Sequence, residues 1–300
     1  MTELVVETQS LVKRYGRVAA LDGLSLAVPR GAVYGFLGRN GAGKTTAIRV
    51  LAGLARPQSG AARVFGLDPF HDRLAILSRT GFVIEKMLLP SMTGDDLVRF
   101  NRSFFPAWSD ALAKKYAEAL EVPMNRKFRR LSHGNRTKLC LLLALAHGAE
   151  LLVLDEPTAG LDPVVTDQLL RLLIDDFAAS GRTLLLSSHH LSEIEKIADW
   201  VGIIHHGRLL LEAQLDDIRA HYARIRASGG DLPRTAPEIV TASDTQGVSE
   251  YVLRSGAETF AAELRRSGAL VLDVSPMNLS EIFLELAGKE NHDAAVEVLA

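Results

Sequence analysis

The chain has 300 residues, 47% hydrophobic and 23% charged, a balance that excludes a disordered or collagen-like polymer and suits one large globular domain or two modest ones. Thirty-four Lys and Arg against 36 Asp and Glu leave a formal net charge of -2, so no global basic field for nucleic acid exists. The longest uninterrupted apolar run, Leu139 to Ala146, is eight residues. A membrane-spanning helix needs about 20. The N-terminus has no basic segment leading into an apolar core, which argues against a secretory signal, and the single Cys140 excludes an intramolecular disulfide and suits a reducing cytoplasm.

Residues 1 to about 35 alternate β-branched and apolar residues between Gly and Pro, predicting short strands that lead into a glycine cluster. Ile48, Leu51 and Leu54 then recur at helical spacing, so the glycines sit at a strand-to-helix junction. From Met92 to about Lys127 strand signals vanish, and Leu97, Phe100, Phe104, Leu112, Tyr116 and Leu120 predict an inserted helical subdomain, about 86–147 in all. Beyond 150 the pattern alternates: LLVLD as a buried strand, TDQLLRLLIDDFAAS as a helix, TLLLSS as a strand, LSEIEKIAD as a helix and WVGIIHHGRLLLEA as a hairpin. Such alternation predicts an α/β fold with a parallel sheet covered on both faces. The pattern changes near residue 215, and SGGDLPRTAP reads as a loop. YARIRA, EYVLRS and ALVLDVS then read as strands, and AETFAAELRRSG and NLSEIFLELAGK as helices, so 216–300 is expected to be a small α+β accessory module behind a domain over 1–215.

The glycine cluster is Gly38-Arg39-Asn40-Gly41-Ala42-Gly43-Lys44-Thr45-Thr46, which matches G-x-x-x-x-G-K-[ST] behind the apolar strand VYGFL. Glycines let the backbone wrap a phosphate so that successive N–H groups point inward, and the helix N-terminus adds partial positive charge. Lys44 can then reach the β- and γ-phosphates of a nucleotide, and the Thr45 hydroxyl can ligate Mg²⁺. LLVLDEP supplies a second metal ligand in Asp155 at the strand end, and Glu156 beside it is placed to polarise the attacking water.

Loop and acidic pair together leave many nucleotide-hydrolysing families open. Leu131-Ser132-His133-Gly134-Asn135, which ends 20 residues before Asp155, resembles the LSGGQ signature of the ATP-binding cassette (ABC) family. Ala159-Gly160-Leu161-Asp162 follows as a D-loop, SSHHLSEIE carries a switch histidine at His189, and Tyr15 stands in the A-loop place where family members stack an aromatic on adenine. The resemblance covers residues 1 to about 215. It implies a P-loop ABC ATPase fold and a head-to-tail dimer, each ATP and Mg²⁺ held between one subunit's Lys44 loop and the other's signature. A Ser hydroxyl, a Gly N–H and a helix N-terminus make an anion half-site with no nucleotide of its own, in keeping with that arrangement.

Four positions depart from the family pattern. Glu85 replaces the Q-loop Gln, where a carboxylate can still meet Mg²⁺ or its water while adding negative charge near the γ-phosphate. His133 and Asn135 replace Gly and Gln in the signature, and Arg39 stands where Pro is usual, facing solvent or the partner subunit. The basic run RKFRR at 126–130 could bind nucleic acid, but in a near-neutral chain it reads as a solvated loop near the dimer interface. The pairs His189-His190 and His205-His206 lack acidic co-ligands at metal-binding spacing, so His190 and the 205 pair read as hairpin or surface residues.

The resemblance implies an ATP-hydrolysing subunit, cytoplasmic and peripheral on the inner face of the membrane. Its expected partners are a second ABC ATPase, in a homodimer or heterodimer, and a polytopic membrane permease, with no nucleic acid. Met87 to Leu89 are candidates for the permease contact, while Phe100 and Phe104 read as the helical subdomain's own core. MNLSEIFLELAGK resembles the tail of bacterial exporter-type ATPases, which points to export of a drug, peptide or lipid. The alternative is a soluble ABC ATPase acting on ribosomes or DNA.

Overall fold

The N-terminal strands are longer than their punctuation suggests: β1 (Leu4–Tyr15) and β2 (Val18–Pro29) run antiparallel for 12 residues each. Register shifts absorb the interruptions, including one around Ser10, whose φ is 46°. The structure is a computed structural model and describes residues 3–84, 89–229, 233 and 236–287. Five fully buried residues, VYGFL, form β3 (Val33–Leu37), and the glycine cluster turns the chain into α1 (Lys44–Leu51). Then β4 (Ser59–Val64) returns to pair with β1, giving a three-stranded sheet ordered β2-β1-β4. A short α2 (Arg73–Leu77) leads to β5 (Thr80–Val83).

The predicted helical stretch contains α3 (Gly94–Arg102), α4 (Asp110–Ala119), a 3-10 turn at Phe128–Arg130 and α5 (His133–Ala146). Each of the three helices begins on a hydroxyl cap: Thr93 in a reciprocal capping box with Asp96, then Ser109 and Ser132. The apolar run from Leu139 is the wholly buried second half of α5. One expectation fails here. Leu97, Tyr116 and Leu120 are buried, but Phe100 and Phe104 are 48% and 62% exposed, with ring centroids 4.9 Å apart. α3 stops at Arg102, so Phe104 lies beyond the helix on which its spacing was counted.

The alternating region gives β6 (Leu151–Asp155), α6 (Pro163–Leu172), β7 (Thr183–Ser188), α7 (Leu191–Ile194), β8 (Trp200–His205) and β9 (Arg208–Gln214). The helix read after the D-loop continues beyond α6 as a π turn, Leu173–Phe177, and a 3-10 turn, Ala178–Ser180. One six-stranded sheet, ordered β5-β6-β7-β3-β8-β9, carries the site, with β5, β6, β7, β3 and β8 pairing in parallel. It brings the C-terminal ends of β3, β6 and β7 side by side, where ligands of open parallel sheets bind. His205 corrects the surface reading: at 4% exposure it is buried, its ring against that of His206.

The chain divides between Glu212 and Ala213, three residues before the boundary expected at 215. The second unit holds α8 (Leu215–His221), β10 (Ala223–Ser228), β11 (Ile239–Thr245), β12 (Val248–Leu253), α9 (Ala257–Arg266), β13 (Leu270–Pro276) and a helix over 279–287. Its antiparallel sheet is ordered β11-β12-β10-β13. Ile225, Tyr251, Leu253, Phe260 and Leu264 form its core. Arg224 gathers Glu250, Glu281 and Glu285 at 3.2, 3.1 and 3.6 Å.

Candidate active site

The phosphate loop is shaped by close backbone approaches. A Cβ on Gly43, whose φ is 115°, would collide with the Ala20 carbonyl, and one on Gly38 would meet the Ile204 carbonyl, so neither position tolerates a side chain. Gly43 caps α1 and Lys44 opens it, only 6% exposed. Its ammonium donates to the Gly38 carbonyl at 2.5 Å and lies 3.1 Å from Glu156 Oε1.

Asp155 and Glu156 take different environments although they are neighbours. Asp155 ends β6 at 2% exposure and accepts a 2.7 Å hydrogen bond from the Ser187 hydroxyl on β7. At Glu156 the chain turns out of the strand with φ 50°, a left-handed conformation rare outside glycine, and its N–H donates to Ser187. That turn aims the carboxylate back over the loop: one oxygen meets Lys44 and the other lies 2.7 Å from His189 Nδ1. The His189 segment is held in turn by Glu193, which accepts from Thr158 at 2.8 Å and Ser188 at 3.4 Å. A cleft of 490 Å³ opens between these groups, lined by Arg39, Asn40, Gly41, Gly43, Lys44, Thr45, Thr46, Glu156 and His189, with Ala20 and Ala159.

The remaining sequence-predicted residues lie elsewhere. Gly38 and Ala42 are buried beneath the loop, and Tyr15 stands at the tip of the β1–β2 hairpin, 47% exposed, with Lys13 over its ring at 5.1 Å. Leu131 is buried; Ser132 caps α5 by accepting from the Asn135 N–H at 3.3 Å, so the helix begins at His133. The signature packs on the D-loop: a Cβ on Gly134 would come within 2.8 Å of Leu161, and one on Gly160 within 3.2 Å of the His133 ring. Asp162 caps α6, accepting from Val164 and Val165 at 3.1 and 3.0 Å. Glu85, Met87 and Leu88 lie outside the described residues. Ala20 was not read from sequence, since a lone strand Ala carries no chemical signal. The two rings of each histidine pair are in contact, tilted at 3.9 Å for His189–His190 and edge-on at 4.1 Å for His205–His206, and no cluster able to hold a metal by His, Cys, Asp or Glu alone occurs among the described residues.

Residues 21–159 match the ABC transporter family. Over 222 residues the chain is 40% identical to the bacitracin transport ATP-binding protein BcrA of Bacillus licheniformis, covering 72% of this chain and 71% of that protein. The chain belongs to the ABC transporter family. The daunorubicin/doxorubicin resistance ATP-binding protein DrrA of Streptomyces peucetius is 33% identical over 327 residues, covering 98% of this chain and 96% of its own length. Among solved structures, the ATP-binding subunit of an ABC transporter superposes with a TM-score of 0.65 at 26% identity, covering 72% of this chain and 92% of the other. The fold is therefore that of an ABC ATPase, and the protein is an ATP-binding, ATP-hydrolysing subunit of that family. No helix among the described residues is long and apolar enough to cross a membrane.

Proposed function

We propose that this ABC subunit powers export through a separate membrane permease, with Glu156 as the base that activates water. The observation that carries the reading is the Lys44–Glu156–His189 constellation lining the phosphate-loop cleft. Lys44 would grip the β- and γ-phosphates, Gly41 to Thr46 would cradle them with backbone N–H groups, and His189 would hold Glu156 toward the attacking water. Thr45 and Asp155 offer hard oxygen donors and one of them is a buried carboxylate, a set that fits Mg²⁺. Bound there, the ion would neutralise phosphate charge.

The signature residues Ser132, His133, Gly134 and Asn135 would complete the site of a second subunit, with Asp162 and the rest of the D-loop beside them. Tyr15 would stack on adenine from the hairpin tip. The exposed Phe100–Phe104 pair, lying in the subdomain that meets permeases in this family, would offer an apolar docking surface to the membrane chain. Export follows from kinship with a drug-resistance subunit that spans nearly the same length, since resistance is met by moving the drug out. The relatives lend no support to action on ribosomes or DNA.

Glu156→Gln should still bind nucleotide, no more weakly than wild type, and lower the ATPase rate by roughly 10²–10⁴-fold, the usual worth of a general base. Phosphate release at saturating MgATP measures this, and an unchanged rate would remove Glu156 from the mechanism.

A further inference from the structure

Immediately before the signature, Arg126, Lys127, Arg129 and Arg130 are all exposed. Among the described residues none of the four has a carboxylate within ion-pair distance. Arg79, Arg171 and Arg224, by contrast, have carboxylates at 2.6, 2.8 and 3.1 Å.

The cations are not on a slack loop. Between them Phe128 is buried at 3% exposure, and its N–H donates to the Met92 carbonyl at 2.8 Å. Lys127 bridges to Thr93, and Arg136 donates to the Phe128 and Arg129 carbonyls at 3.2 and 2.7 Å. Four like charges therefore fall in five residues of a chain whose net charge is -2, Arg129 and Arg130 on the 3-10 turn, Lys127 capping it and Arg126 just before it. Their mutual repulsion is relieved by an external polyanion.

Two polyanions fit the charge alone. Single-stranded nucleic acid is bound through aromatic rings that stack on bases, and the only aromatic in this turn is buried. An anionic leaflet needs only exposed cations, and four to eight clustered Lys and Arg are its usual ligand. We propose that this turn is a docking ledge for anionic phospholipid headgroups, holding the subunit against the membrane in which its permease sits. The inference rests on family membership and on the ledge, not on the roles assigned to Lys44 or Glu156.

Sedimentation of the full chain with vesicles tests it. Wild type should partition onto phosphatidylcholine vesicles that contain phosphatidylglycerol, not onto phosphatidylcholine alone, and added salt should release it because the contacts are screened over about 8 Å. Arg129→Gln with Arg130→Gln should weaken partitioning by roughly 30-fold, about fivefold per cation. ATP hydrolysis should stay at the wild-type rate in that variant, which shows that the subdomain is folded. Arg265→Gln with Arg266→Gln, exposed on α9, should leave partitioning unchanged. Equal partitioning of the ledge variant overturns the proposal, as does wild type that ignores anionic vesicles while binding polyuridylate.

Discussion

Glu156 holds two partners at once, and that makes it a competitor for its own cofactor's ligand. Its carboxylate occupies Lys44 at 3.1 Å while the Gly38 carbonyl takes another ammonium proton, so the lysine must turn away from both to meet phosphate. Glu156→Gln removes the competing charge, and even a solvent-exposed ion pair is worth up to about 1 kcal/mol. A non-hydrolysable ATP analogue should therefore bind the variant about fivefold more tightly in a calorimetric titration; equal or weaker binding would show that the pair does not oppose the nucleotide. His147 makes a different prediction. Buried at the C-terminal end of α5 and stacked on Phe105 at 4.3 Å, its imidazole is pushed down from 6.5 to about 4, chiefly by burial, with Arg182 adding to it. The unfolded chain then takes up a proton that the folded one refuses, so stability is full above pH 6.5 and falls as pH drops toward 4, by up to about 3 kcal/mol. Urea unfolding between pH 7 and 5 should show that slope, and His147→Phe, which keeps the ring stack, should flatten it.

The site depends on how closely elements approach one another, and Gly35 in β3 shows it: a Cβ there would overlap the Ile194 side chain of α7. Gly35→Ala should cost about 1–3 kcal/mol by overpacking and lower the melting temperature by several degrees. A melting curve unchanged from wild type would mean that α7 yields freely. Because α7 follows His189 directly, the same variant should also lower the ATPase rate. What sequence could reveal at this scale was local or periodic. The glycine cluster, the buried run of β6 and the Asp155–Glu156 pair are each contained within a few consecutive residues. What it concealed depends on contacts across the chain: Ala20 closing on Gly43, His205 turning inward, and Phe100 and Phe104 left exposed although their spacing matched a core stripe. β11 escaped notice because IVTASDT is polar over half its length and its last four residues are exposed.

Across the whole molecule, two halves of one chemistry are separated. Lys44, Thr45 and Glu156 line the nucleotide cleft, whereas the Ser132 cap and its helix N-terminus do not, and the D-loop packs against that signature. On the proposed reading, that anion site is completed by a nucleotide that a second subunit brings. That arrangement can be read out by mixing. Lys44→Ala should abolish nucleotide binding, and Ser132→Arg should block the signature, so either homodimer is inactive. In a heterodimer of the two, one composite site joins the intact loop of the Ser132→Arg chain to the intact signature of the Lys44→Ala chain. The other site carries both defects. If subunits exchange at random and each site works alone, an equal mixture should recover about a quarter of the wild-type ATPase rate, since half the dimers are mixed and each has one good site. Recovery should rise with protein concentration, because it requires association. An equal mixture that forms ATP-dependent dimers by light scattering yet stays as inactive as its components would refute a site shared between subunits.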